Sequence, residues 1–126
     1  MTTATAPTLT EIADYLDTAR AHIVRVGFNK KYLFNTQQFR AGTPLDRCAV
    51  DLDGAIGVAV HGTPRHLGRD PLTRAVVEAV LARITAPSLA AWCDYKGNGK
   101  AQALDLLRET AARLRTANRN ASKEQP

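Results

Sequence analysis

The side chains best suited to moving protons and holding anions are gathered in one short run, His61-Gly62-Thr63-Pro64-Arg65-His66-Leu67-Gly68-Arg69. Imidazoles exchange protons near neutral pH, whereas guanidiniums stay charged and can hold a carboxylate or a developing enolate. His61, Arg65, His66 and Arg69 are therefore the candidate catalytic residues. The chemistry they suit is addition or elimination beside a carbonyl. Asp51, Asp53 and Asp94 can orient these cations, and the first two stand out because they interrupt an otherwise apolar run. On a helix they would point about 200° apart, so at most one can face an interior site. For any one of these residues alone a solvated or salt-bridged role is the plainer explanation; the cluster is better evidence than its parts.

Other chemistries lack their residues. His61 and His66 are five apart rather than four and no third ligand adjoins them, so no metal site is expected. There is no G-x-S-x-G, no P-loop and no G-x-G-x-x-G that follows a strand. Gly97-Asn98-Gly99-Lys100 is too short for a phosphate loop and lacks the Ser or Thr that would hold magnesium, so it reads as a turn leading into a helix. No cofactor is expected.

The elements that must position these groups read as helices. Cys48 to Val60 leads into the His/Arg run, and Ala49, Leu52, Ala55, Ile56, Ala59 and Val60 recur at intervals of three and four, which predicts a buried central helix. A strand over Ala55 to Val60 is the competing reading, since β-branched residues beside Gly54 and Gly57 also fit one. Thr8-Leu9-Thr10-Glu11 has the spacing of a capping box, and Ile12, Leu16, Ala19, Ile23 and Val26 form a stripe up to Gly27, read as a left-handed stop. His22, beside that stripe, reads as a structural hydrogen-bonding residue. Asp70-Pro71 starts another helix, with Leu72, Val76, Ala79, Val80 and Ile84 on one face and an end near Thr85. Ser88 caps a short segment through Trp92. A last helix carries Lys100, Leu104, Leu107, Ala111 and Leu114 inward.

From Phe28 to Asp46 no period is sustained, and an irregular or short-hairpin connection is expected there. Its aromatics, interleaved with amides and lysines, suit a peptide or an unstacked base. The expected fold is all-α: one compact bundle of four to five helices over residues 8–116, with an irregular segment between the first and second. Residues 1–7 are expected to be flexible and 117–126 a disordered tail.

The chain has 126 residues, 44% of them apolar, enough for one core. It carries 17 basic and 12 acidic residues, a formal charge of +5. Residues 1–60 hold six of each sign, so the whole excess lies in residues 61–126. An anionic partner fits that balance, but no nucleic-acid motif accompanies it and nucleic acid is not the partner expected. The opening MTTATAPT resembles neither a secretory signal nor a membrane span, and a cytoplasmic protein without membrane contact is expected. Cys48 and Cys93 lie outside any C-x-x-C pattern and are read as reduced thiols.

Cys48 with Gly54-Ala55-Ile56, then Gly62, then Trp92-x-Asp94 leading through Gly97 into an amphipathic helix, resembles a family of small actinobacterial helical proteins mostly without assigned function. The likeness runs from about Ile12 to Leu114. Those proteins usually read W-N-D followed by glycine, Arg and Thr; here Cys93 replaces the asparagine and Asn98-Gly99 the Arg-Thr pair. In size, basic character and lack of ordinary motifs the chain is also similar to the small lysinoalanine synthases of cinnamycin-type lanthipeptide biosynthesis. That second resemblance implies a modified peptide substrate and the joining of a lysine amine to dehydroalanine by conjugate addition. It implies further that His61 or His66 handles a proton, that Arg65 or Arg69 fixes a carboxylate or the enolate, and that Asn29, Lys30, Tyr32 and Asp94 shape the peptide groove. A homodimer is the expected assembly. The rival expectation is a basic helical adaptor that docks an acidic peptide, protein or nucleic acid without turnover.

Overall fold

Thr8 opens the first helix as its spacing requires. Its Oγ1 accepts from the Glu11 N–H at 3.0 Å, and the Glu11 carboxylate accepts from the Thr8 N–H at 3.2 Å. The computed structural model describes residues 6–65 and 70–124. From that cap α1 (Leu9–Val26) buries Ile12, Leu16, Ala19 and Ile23 along one face. Gly27 ends it with φ at 100° and its N–H on the Ile23 carbonyl at 2.8 Å. Its ψ of 166° is extended, so the stop uses a positive φ without the left-handed helical turn expected.

The chain then passes through the irregular stretch. Both ends of the 28–34 loop pair with Val50: at Phe28 the Asn29 N–H donates to the Val50 carbonyl at 2.8 Å and the Val50 N–H to the Gly27 carbonyl at 3.1 Å, and at Phe34 the Asn35 N–H donates to the Ala49 carbonyl at 2.8 Å and the Asp51 N–H to the Leu33 carbonyl at 3.3 Å. Such a loop, closed at its base, satisfies its backbone without a sheet. The stretch is more ordered than its composition announced, because Asn35 caps α2 (Thr36–Arg40) and a 3₁₀ turn spans Leu45–Arg47.

Asp51 starts α3 (Leu52–His61), its Oδ1 accepting from the Gly54 N–H at 2.7 Å. Leu52, Ala55 and Ile56 are fully buried, so Ala55 to Val60 is helix and the strand alternative falls. Gly62 caps it in the left-handed conformation, φ 79°. α4 (Pro71–Leu81) begins on the Asp70 cap and buries Thr73, Val76 and Val80. It ends four residues short of Thr85, the Ala82 N–H closing on Glu78. Ser88 caps α5 (Leu89–Asp94), accepting from the Ala91 N–H at 3.0 Å.

α6 (Lys100–Glu124) packs chiefly along α1; α3 also packs on α1 and in turn contacts α4 and α5. The buried face of α6 is Ala103, Leu106, Leu107, Thr110 and Ala111, while Lys100 is exposed, so the face is turned relative to the one read from the sequence. Residues 117–124 continue as helix where a tail was expected, because no glycine or proline interrupts them. Arg115 fastens α6 to α1 through Asp14 at 2.8 Å and Asp17 at 2.6 Å. Fully buried Leu16, Ile23, Leu52, Ile56 and Leu107 each contribute about 1.5–3 kcal/mol of hydrophobic stabilisation. The fold is all-α, with no strand among the described residues, and none of its helices there is long and apolar enough to cross a membrane.

Candidate functional site

His61 is the last residue of α3, and the start of α4 lies beside it. Its Nε2 lies 2.8 Å from Asp70 Oδ1 and 2.9 Å from Thr73 Oγ1. The Thr73 backbone N–H and hydroxyl also hold Asp70, keeping its carboxyl well below the usual carboxylate range. The helix cap and the imidazole thus share one carboxylate. The guanidinium of Arg65 stands over two rings of the irregular stretch, 5.4 Å from the centre of Phe34 and 5.2 Å from that of Phe39, which meet edge to face at 5.8 Å. Such stacking keeps the charge available while holding its position. The other two candidates, His66 and Arg69, lie outside the described residues.

The residues expected to shape a peptide groove lie on two segments that hydrogen bonds join through Tyr95 and Lys31. Lys30 Nζ donates to the Tyr95 carbonyl at 2.9 Å, and the Lys31 N–H donates to Asp94 Oδ1 at 2.8 Å. Asn29 Nδ2 closes the loop on the Tyr32 carbonyl at 3.1 Å. Two segments more than sixty residues apart are thereby latched into one ledge, on which Tyr32 is 61% and Tyr95 66% exposed. Lys31 has φ at 76°, a conformation that non-glycine residues hold only where surrounding contacts impose it.

Gly54 makes the ledge possible. A Cβ there would collide with the Leu33 carbonyl, so only glycine lets the loop lie directly on α3. Behind the loop Asp51 is 3% exposed. Burial pushes its carboxyl up to about 7 against the pull of the Gly54 N–H, and the negative charges of Asp53 and Asp94 push the same way. Burial also raises Asp53, and it drives the neighbouring Cys93 thiol to about 12, so that sulfur is an inert packing group. Asp51, Asp53 and Asp94 therefore orient no cation of the His61 run among the interactions described; Asp51 is a helix cap and Asp94 a loop latch.

His22 is buried, with its Nε2 lacking a hydrogen-bond partner. Its Nδ1 accepts from Arg25 at 3.2 Å, and burial, then the Arg25 charge, lowers its basicity. No group of three or more His, Cys, Asp or Glu side chains among the described residues is placed to hold a metal.

Sequence reasoning missed Thr73, Lys31 and Tyr95. The Asp70-Pro71 cap was visible, but its second use, on His61, depends on how α3 and α4 come together. Nothing in residue spacing says that Lys31 contributes through its backbone.

No curated protein and no solved structure matches this chain. A family model does, over residues 7–113, covering every helix described above except α6 beyond Arg113, and the chain accordingly belongs to DUF6197, a family of unknown function.

Proposed function

We propose that this chain binds an anionic peptide, gripping it on the ledge formed by the 28–35 loop and the end of α5. The latch of Lys30 to Tyr95 and of Lys31 to Asp94 carries the reading, because it joins the two backbone segments that carry the widely exposed Tyr32 and Tyr95. Exposed tyrosines on a fixed backbone supply contact area at low entropic cost, and the net charge of +5 favours an acidic chain. The test is fluorescence anisotropy of a labelled acidic peptide against the full chain over a salt series. Binding that weakens with salt, and that falls about tenfold in a Tyr32→Ala, Tyr95→Ala double variant, is expected. Binding unaffected by the double replacement would place the partner elsewhere.

A second reading makes the peptide a dehydrated lanthipeptide precursor and the protein a lysinoalanine synthase needing no cofactor. It is supported by the resemblance given above and by the His61–Asp70 pair, an imidazole oriented by a carboxylate as proton transfer requires. The reaction needs a neutral lysine amine, donors for the enolate oxygen and a proton for the α-carbon, with the reacting ends held together. In this scheme His61 or His66 carries the proton, and Arg65 or Arg69 steadies the enolate. Ring closure leaves mass unchanged, so the assay adds a thiol after incubation and counts the dehydroalanine still able to capture it. Protection that vanishes in folded alanine variants of His61, Arg65, His66 and Arg69 is the expected result. Full activity in all four would remove this assignment.

A further inference from the structure

A cavity of about 640 Å³ opens between the end of α4, the 82–88 connection and α5. That volume is in the range, roughly 300–1,000 Å³, that encloses a small molecule. Ile84, Pro87, Trp92 and Tyr95 give it apolar and aromatic walls, and Asn98 Nδ2, donating to the Trp92 carbonyl at 2.9 Å, fixes the end of α5 that carries both rings. Arg83 is the one charged residue lining it among those described.

The guanidinium of Arg83 is poorly satisfied. Its Nε is buried and has no hydrogen-bond partner, and its ion pair with Glu109 of α6 is 3.9 Å long, beyond hydrogen-bond reach. A guanidinium stays charged, and with the Arg83 side chain 24% exposed its outer nitrogens can meet an acceptor brought by a ligand. A carboxylate matches the planar fork of donors, and flat apolar walls select a flat partner.

We propose that this cavity binds a small aromatic carboxylate, its flat ring against Trp92 and Tyr95 and its carboxylate on Arg83. The site is separate in chemistry from the peptide ledge and shares only Tyr95 with it. Trp92 is the single tryptophan in the chain, so its indole N–H gives one unambiguous nuclear magnetic resonance signal. Titrating the full chain with phenylacetate should move that signal saturably, and phenylacetamide, the neutral isostere, should bind at least about tenfold more weakly. Arg83→Gln should weaken phenylacetate by about tenfold or more, whereas Glu109→Gln, which removes the competing carboxylate, should tighten it about twofold or more. Equal response to acid and amide, unchanged affinity in Arg83→Gln, or weaker binding in Glu109→Gln would each overturn the proposal. A response to a tetrapeptide ending in phenylalanine, with none to phenylacetate, would overturn it too, since the cavity would then read a peptide terminus.

Discussion

Asp51 holds two roles in tension. As the cap of α3 it accepts a short hydrogen bond that favours the carboxylate, yet burial under the 28–35 loop moves its titration from the ordinary carboxyl range to about 7. The folded protein therefore binds this proton more tightly than the unfolded chain. The stability that follows is fully present below about pH 4, declines as pH rises towards 7 and is flat above. Asp51→Asn keeps a capping oxygen and cannot ionise, so it should gain on the wild type across that window by a few kcal/mol. Urea unfolding at a series of pH values checks this; parallel profiles for the two proteins would show that Asp51 titrates alike in the folded and unfolded chain. The sequence marked Asp51 as unusual because it interrupts an apolar run, but not its state, which is set by a loop that arrives from twenty residues away. The same holds for Arg65: its charge was visible in the sequence and its two aromatic supports were not.

At the scale of elements, caps and stripes were legible because they are local. Thr8, Asp70 and Ser88 cap the helices they were expected to cap, and the apolar repeat after Cys48 settled as helix. What was hidden is the loop between α1 and α3, whose order comes from two backbone pairings to Val50 and from close approach at Gly54. Gly54→Ala separates these two levels. On helix propensity alone it should stabilise α3 by about 1 kcal/mol. The added Cβ instead meets the Leu33 carbonyl, backbone that can move only with the whole loop, so a net loss of about 1–3 kcal/mol is expected. Gly99→Ala is the control, since a Cβ there meets only the Gln102 side chain, at 3.4 Å. Thermal unfolding of the two variants measures the contrast. A neutral Gly54→Ala would mean that the loop does not rest on α3, and the ledge would lose its foundation.

The whole molecule is organised on α1, with α6 along one side and α3 on another, and its stability should therefore depend on how much of α6 touches α1. Burial on α6 stops at Ala111, with Leu114 half-buried beyond it, and Arg115 makes the last cross-helix tie that the structure shows, to Asp14 and Asp17. From Arg119 to Ala121 the helix is exposed all round, so helical geometry there brings almost no tertiary contact. The sequence could show that these residues are polar; whether a polar segment frays or continues as helix depends on a balance too small for pattern reading. Removing residues 118–126 should lower the unfolding free energy by no more than about 0.5 kcal/mol. Arg115→Ala should cost at most about 1 kcal/mol, because all three partners are partly solvated, and that cost should shrink in high salt. Urea unfolding of both variants at low and high ionic strength distinguishes them. A large loss on truncation would mean that the exposed end of α6 is covered by something, and a second copy of this chain is the first partner to look for.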